Sequence, residues 1–256
     1  MTDAPSSPAQ RRHPIARRIG AGAIALVVLL VLAIVGFLAD AHVTYAAERD
    51  PVLALAGNSA VDVQYSYGSV VLSPAGESNG VGLVFLAGAK VDPLAYAEKL
   101  SGAVEAGSTV VIVRPIANYA ILEWRPIGDF TALAPDVSTW YVGGHSLGGV
   151  KACQYATDDA IAGLVLFGSY CAGDASGLGK PVLSISASND GLSTPAKIEA
   201  SRAQLPAETD FVVIEGANHA QFGDYGPQPG DGESTTPDAR VRDDITEALD
   251  RMLVPR

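Results

Sequence analysis

The chain has 256 residues and a formal net charge of −11, a length that allows one catalytic-sized domain of roughly 200 residues and an extension. The charge is uneven, because residues 1–18 carry +3 while residues 40–256 carry −14. An acidic domain repels polyphosphate, and the sequence has no basic patch interleaved with aromatic residues, so we expect no nucleic-acid partner.

The first predicted element is an uncharged apolar run from Ile19 to Ala39, 21 residues long. As a helix it spans about 31 Å, close to the hydrocarbon thickness of a bilayer. Since the basic flank precedes it, we expect a cytoplasmic tail at 1–18, a single-pass anchor in the cell membrane at 19–39, and an extracytoplasmic domain. A cleaved signal peptide is the alternative, because Ala39-Asp40-Ala41 resembles a cleavage site, although signal peptides usually have only about 7–15 apolar residues.

A juxtamembrane linker at 40–57 precedes a predicted α/β domain at 58–256. Residues 59–66 and 68–74 alternate around Tyr67-Gly68, which is typical of an antiparallel hairpin. Near-continuous apolar runs then suit strands buried on both faces of a sheet: 81–87, 108–113, 139–144, 161–169, 181–188 and 210–216. Helical patterns lie between or after them, at 92–107, 147–159, 194–205 and 237–253. The alternation predicts a doubly wound, mostly parallel sheet with an N-terminal antiparallel hairpin, and a surface loop at 223–238.

The sequence GHSLG, residues 144–148, places Ser146 between a predicted strand and a predicted helix. On such a turn a serine is held in a strained conformation that lifts its hydroxyl above the sheet, where ligands bind in open α/β folds. Gly144 and Gly148 suit the turn, because a Cβ at either position would collide where the helix passes the strand. The pattern predicts Ser146 as a nucleophile. The flanking elements argue against a chance match in a glycine-rich chain.

A serine nucleophile needs a neighbouring base, usually histidine. Of the four histidines, His13 and His42 flank the apolar run. His145 belongs to the turn itself, and its side chain is expected to point away from Ser146. His219, which follows the last predicted strand, is therefore the predicted base.

The base must be oriented by an acid, which we expect between Ser146 and His219 at the carboxyl end of a strand. Asp190 meets this condition and gives the chain order Ser, Asp, His. Asp174, one strand earlier, is the reserve candidate.

Two backbone amides are predicted to bind the oxyanion that forms during acyl transfer. One belongs to Leu147, next to the nucleophile. The second is assigned to Ala89, in the loop after the third strand, with Lys90 next in line.

Cys153 and Cys171 would lie in an oxidising compartment, where they could form a disulfide or remain two buried thiols; the sequence favours neither. No histidine or cysteine cluster surrounds them, so we expect no metal site and no cofactor.

Four segments together resemble the α/β-hydrolase superfamily, and in particular small capless bacterial hydrolases of the esterase and dienelactone-hydrolase kind: LAGAKVDPLAYA, GHSLGG, SASNDGLSTPAKIEA and FVVIEGANHAQFGDYGPQPGDG. The resemblance covers roughly residues 58–253. It implies a triad of Ser146, Asp190 and His219, with Leu147 and Ala89 as oxyanion donors. Many relatives have His-Gly after the third strand, whereas this chain has Ala87-Gly88.

These features predict a membrane-anchored serine hydrolase that cleaves a small-molecule ester or related acyl bond. About a dozen residues separate the runs at 161–169 and 181–188, too few for a cap domain, so we expect an open site. An acyltransferase with the same triad and a non-catalytic binding protein of the same fold are the alternatives. The sequence does not indicate the oligomeric state.

Overall fold

The computed structural model of the chain describes residues 14–66 and 68–254, in two compact units that divide after Ala41. Residues 1–13 of the predicted basic tail lie outside the described residues, as do Tyr67 in the predicted hairpin turn and residues 255–256.

The first unit contains one helix, α1, Pro14–Ala41, which includes the predicted apolar run. Its segment Gly22–Ala41 has a mean hydropathy of 3.0 and is long and apolar enough to cross a membrane. A signal sequence near the N-terminus passes the same test of length and composition, so the test does not distinguish a membrane anchor from a signal sequence.

The second unit holds the remaining elements, which are in chain order α2 Arg49–Ala56, β1 Val61–Ser66, β2 Ser69–Pro74, β3 Val81–Leu86, α3 Ala97–Glu105, β4 Thr109–Val113, α4 Gly128–Thr131, β5 Thr139–His145, α5 Leu147–Tyr155, β6 Ile161–Phe167, β7 Val182–Ala187, α6 Pro195–Ser201, β8 Asp210–Ile214 and α7 Asp238–Leu253. Each predicted strand and helical pattern corresponds to one of these elements. The predicted linker at 40–57 contains α2.

The eight strands form one sheet in the order β1-β2-β4-β3-β5-β6-β7-β8. β2 pairs antiparallel with both β1 and β4, and the pairs from β4 through β8 are parallel. The prediction of a doubly wound, mostly parallel sheet with an N-terminal antiparallel hairpin is confirmed.

Strand β3 shows why apolar residues in the predicted strands do not alternate with polar ones. Leu83 and Phe85 belong to the core on one face of the sheet, which α3 and α7 cover. Val84 and Leu86 belong to the core on the other face, which α5 covers. All four side chains are fully buried, and each stabilises the fold by about 1.5–3 kcal/mol relative to an exposed position.

The predicted site residues come together because the carboxyl ends of parallel strands share one edge of the sheet. Ser146 follows β5, Asp190 follows β7 and His219 follows β8. Residues 168–181, between β6 and β7, contain neither helix nor strand, so no cap is inserted there.

Candidate active site

Ser146 occupies the sharp turn between β5 and α5, with φ 51° and ψ −121°. A serine at positive φ is sparsely populated and costs of order 1–3 kcal/mol, so the surroundings must hold it. They do so at both backbone groups: the Ser146 N–H donates to Phe167 O at 3.0 Å, and Ser169 Oγ donates to Ser146 O at 2.7 Å. Two hydrogen bonds therefore hold the turn, one to Phe167, the last residue of β6, and one to Ser169, two residues further along.

The glycines on either side of Ser146 are required by close backbone contacts. A Cβ on Gly144 would lie 2.4 Å from the carbonyl carbon of Gly148, where α5 passes the strand. A Cβ on Gly148 would lie 2.1 Å from Leu86 O, at the end of β3. These contacts give the physical reason for the glycines of the GHSLG sequence.

Asp190 and His219 form a buried pair, with Asp190 Oδ2 and His219 Nδ1 2.7 Å apart. Both side chains are at most 1% exposed. The other carboxylate oxygen, Oδ1, accepts hydrogen bonds from the backbone N–H groups of Leu192 and Ser193, at 2.8 and 2.7 Å. An ionised carboxylate only accepts, so a charged Asp190 would favour the His219 tautomer that carries its proton on Nδ1 and leaves the lone pair on Nε2.

The ring of His219 lies beside the turn that holds Ser146. The ring of His145, the residue before Ser146, packs 4.3 Å from the ring of His219, centroid to centroid. His219 Nε2 is buried and has no hydrogen-bond partner among the described residues. The Ser146 hydroxyl makes no hydrogen bond to His219 Nε2 in this structure; hydrogen bonds between a nucleophile and its base are often long in enzymes without substrate.

His145 is held in a different hydrogen-bond network. Tyr96 Oη accepts from the Gly88 N–H at 3.0 Å and forms a second hydrogen bond with His145 Nδ1, also at 3.0 Å. Burial lowers the pKa of His145 well below its usual value, and a charge on His219 lowers it further. His145 is therefore neutral, and its Nδ1 is not available to Ser146. The network ties the loop after β3 to the Ser146 turn.

The two amides predicted as oxyanion donors have no acceptor in the described part of the chain. Neither the Leu147 N–H nor the Ala89 N–H makes a hydrogen bond there, whereas the Gly88 N–H is taken by Tyr96. The two segments also touch, since Gly148 packs against the carbonyls at the end of β3. The two segments that carry these amides are therefore in contact, and both amides are without an acceptor among the described residues.

Asp231 is a site residue that the sequence reasoning missed. It lies in the predicted surface loop at 223–238, yet its carboxylate accepts hydrogen bonds from the backbone N–H groups of Gly191, His219 and Ala220, at 3.0, 3.1 and 2.8 Å. It thus joins the loop of the predicted acid to the loop of the predicted base. The only local signal is that Gly230 and Gly232 flank it, which permits a close backbone approach.

The remaining candidates lie elsewhere. Asp174, the reserve acid, is exposed, and its hydrogen bonding is local, to Ser176, whose N–H it accepts at 2.9 Å. Cys153 in α5 and Cys171 after β6 form a disulfide, with sulfurs 2.07 Å apart. Among the described residues, no group of three or more His, Cys, Asp or Glu side chains could hold a metal ion.

A family model described as the alpha/beta hydrolase family matches residues 82–243. No curated protein matches the chain. Solved structures with a similar fold include an esterase domain from a Rhodothermus marinus protein, with 14% identity over 73% of this chain and 93% of that one and a TM-score of 0.55. An alpha-beta serine hydrolase homologue from Coxiella burnetii has 13% identity over 74% of this chain and 96% of that one and a TM-score of 0.52. A predicted CIB-like hydrolase from Thermoplasma acidophilum has 14% identity over 75% of this chain and all of that one, and a TM-score of 0.52.

At these identities the solved structures establish the shared fold. The family model covers more than half of the chain, including Ser146, Asp190 and His219. The chain belongs to the alpha/beta hydrolase family.

Proposed function

We propose that this protein is a membrane-anchored serine hydrolase that cleaves carboxylic esters or related acyl bonds through an acyl-Ser146 intermediate. The observation that carries the proposal is the strained Ser146 turn beside a buried Asp190–His219 pair whose Nε2 has no protein partner. In this assignment α1 is the anchor, residues 1–18 are cytoplasmic, and the domain from residue 58 is extracytoplasmic.

The reaction follows from these positions. His219 Nε2 takes the hydroxyl proton of Ser146 as Oγ bonds to the acyl carbon, and Asp190 stabilises the resulting imidazolium. The carbonyl oxygen becomes an oxyanion that the N–H groups of Leu147 and Ala89 bind; removing one such donor typically costs about 2.7–4 kcal/mol of barrier. The ester C–O bond then breaks, and the leaving alkoxide takes the proton from Nε2.

Water resolves the acyl-enzyme by the same steps. It gives a proton to His219 Nε2 as its oxygen bonds to the acyl carbon, and collapse of the second oxyanion returns that proton to Ser146 Oγ. The products are an alcohol and a carboxylic acid. The alcohol of an acyltransferase reaction would enter at this step in place of water.

Active-site labelling of the full-length protein in detergent tests the proposal. We expect a fluorophosphonate probe to label the wild type, and expect labelling and p-nitrophenyl ester hydrolysis to be lost in Ser146→Ala. Ser138→Ala is the matched control, since this serine lies at the opposite end of the sheet, donating to Gly80 O. Absence of labelling in the wild type would favour a non-catalytic protein, and ester products with added alcohols would favour an acyltransferase.

The anchor is tested separately. We expect the mature protein to retain residue 1 and to leave the membrane fraction with detergent and not with alkaline carbonate. A mature N-terminus close to Ala41 would show instead that α1 is a cleaved signal peptide.

A further inference from the structure

Residues 119–124, here called the rim loop, expose large apolar side chains next to the candidate active site. Ile121 is 67% exposed, Leu122 40% and Trp124 78%. Single exposed apolar residues are ordinary, but three within four positions form a patch of the kind that marks an interaction surface.

The rim loop is built to hold these side chains outward. Glu123, which lies among them, has a fully buried side chain that accepts from the backbone N–H groups of Ile116 and Arg125, at 3.2 and 3.0 Å. The Arg125 side chain pairs with the same carboxylate, its Nε donating at 2.8 Å. Ala120 is fully buried as well. The charged residue faces inward and the apolar residues face solvent, which reverses the usual arrangement.

The rim loop adjoins the segments that hold the predicted oxyanion donors. Asn118 O, at its base, accepts the N–H of Lys90 at 2.8 Å, and Lys90 directly follows Ala89. The turn Ala120–Leu122 packs against α5, the helix that begins at Leu147. The exposed apolar patch therefore belongs to the rim of the site.

The chain enters the second unit at this same rim. The Tyr45 N–H donates to Lys90 O at 2.7 Å, and the Asp92 N–H donates to Tyr45 O at 3.0 Å. Only residues 42–44 link Ala41, the last residue of α1, to Tyr45, and four residue steps of extended chain span about 14 Å at most. If α1 spans a membrane, this covalent length limits how far Tyr45 can lie from the end of the span.

The composition of the patch favours a membrane as its occupant. The two arginines that flank it are paired within the domain, Arg114 with Asp92 and Arg125 with Glu123, so neither contributes an uncompensated charge. Tryptophan is enriched at the membrane interface, where its amphipathic ring lies at the level of the headgroups.

We infer that the rim loop lies in the interface of the membrane that holds α1, and that the site acts on esters of amphiphilic lipids presented by that membrane. The inference rests on the anchor and the hydrolase activity proposed above. The bilayer covers Ile121, Leu122 and Trp124, and the acyl bond reaches Ser146 across the rim loop without leaving the lipid surface.

Tryptophan fluorescence tests the location of the loop, because the chain has only two tryptophans and Trp140 is buried, at 7% exposure. The full-length protein is reconstituted in phosphatidylcholine vesicles with or without brominated acyl chains. We expect the brominated lipid to quench the wild type and to leave the emission of Trp124→Phe nearly unchanged. Equal quenching of the two proteins overturns the inference.

A matched control places tryptophan at the other end of the sheet. Glu77 is exposed in the loop before β3, at the amino ends of the parallel strands. We expect the double variant Trp124→Phe with Glu77→Trp to resist quenching. Strong quenching of that variant would mean that the vesicle contacts the domain unselectively, and would also overturn the inference. A second copy of the protein that covers the patch would protect Trp124 from quenching by iodide, and brominated lipid would not quench it. That result would also overturn the inference.

Activity tests the substrate class. We expect Ile121→Ser with Leu122→Ser to lower turnover of a long-chain ester in vesicles by about tenfold or more, since two apolar side chains no longer enter the lipid. Turnover of soluble p-nitrophenyl acetate should be unchanged, and Leu53→Ser, at a 55% exposed leucine of α2, should change neither rate. Equal loss on both substrates, or loss on neither, overturns the inference. If fluorophosphonate fails to label Ser146 while Trp124 is quenched, the proposed hydrolase fails and the membrane contact stands.

Discussion

Replacing Asp231 with alanine tests whether the loop at 223–238 positions His219, the proposed base. The substitution removes the acceptor of the Gly191, His219 and Ala220 N–H groups. Asp231→Asn is the milder change, because one oxygen remains for the first two amides while an NH2 group faces the Ala220 N–H. Neither variant alters Ser146 or the Asp190–His219 contact directly.

The expected magnitude follows from the number of hydrogen bonds. Hydrogen bonds to charged groups contribute about 1.5–3 kcal/mol when buried, and Asp231 is half-buried, so about 1 kcal/mol for each of the three is reasonable. Asp231→Ala should lower the free energy of unfolding by about 3 kcal/mol. Displacement of the base by about 1 Å can cost about 100-fold in rate, so kcat should fall about 10- to 100-fold, with a smaller loss for Asp231→Asn.

The assay compares kcat, KM and the rate of fluorophosphonate labelling for both variants at a temperature where each is folded. We expect kcat and the labelling rate to fall together while KM changes by less than about twofold, because the prediction assigns Asp231 a role only in positioning the His219 loop. Asp174→Ala, at an exposed aspartate with one local hydrogen bond, is the matched control and should match the wild type. A destabilised Asp231→Ala with unchanged kcat would refute the positioning role.

Three further predictions concern the site and its supports. Asp190→Asn should leave the protein folded but lower kcat by roughly 10⁴, because an amide facing Nδ1 places the His219 proton on Nε2; a loss below about tenfold in p-nitrophenyl ester hydrolysis would contradict this. His145 has a lowered folded-state pKa, so the unfolded chain binds more protons as the pH falls below about 6.5. Wild-type stability should therefore drop by about 1 kcal/mol more than that of His145→Phe between pH 7.5 and 5.5, measured by urea unfolding in detergent, and equal drops would refute it. Reducing the Cys153–Cys171 disulfide, which closes a loop of sequence separation 18, should cost about 3 kcal/mol and lower Tm by roughly 6–12 °C; an unchanged Tm in reductant would count against it.

The sheet was predictable because burial on both faces of a strand leaves a signal within each short segment. The residues of β3 are apolar at four consecutive positions, since two helical layers cover the strand. The turn at Ser146 was predictable for a similar reason: the glycines that permit it are adjacent in sequence to the serine that it strains. Both features arise from contacts that constrain neighbouring residues.

Asp231 could not be identified in this way, because three of its four partners are 11 to 40 residues away and all four are backbone amides. Any residue type except proline supplies an amide, so the partners leave no mark in the sequence. The hydrogen bond between Tyr45 and Lys90 also joins two backbone groups, so it leaves no signal in the sequence either. The disulfide was left open because pairing depends on whether α5 and the segment after β6 bring Cys153 and Cys171 together.

Two backbone hydrogen bonds that leave no signal in the sequence both involve Lys90, in the loop after β3. The N–H of Lys90 is bound by Asn118 O, from the base of the rim loop, and the carbonyl of Lys90 is bound by the Tyr45 N–H, from the segment that follows α1. The backbone that directly follows the Ala89 amide is therefore held from two sides, by the residue before the rim loop and by the segment that follows α1.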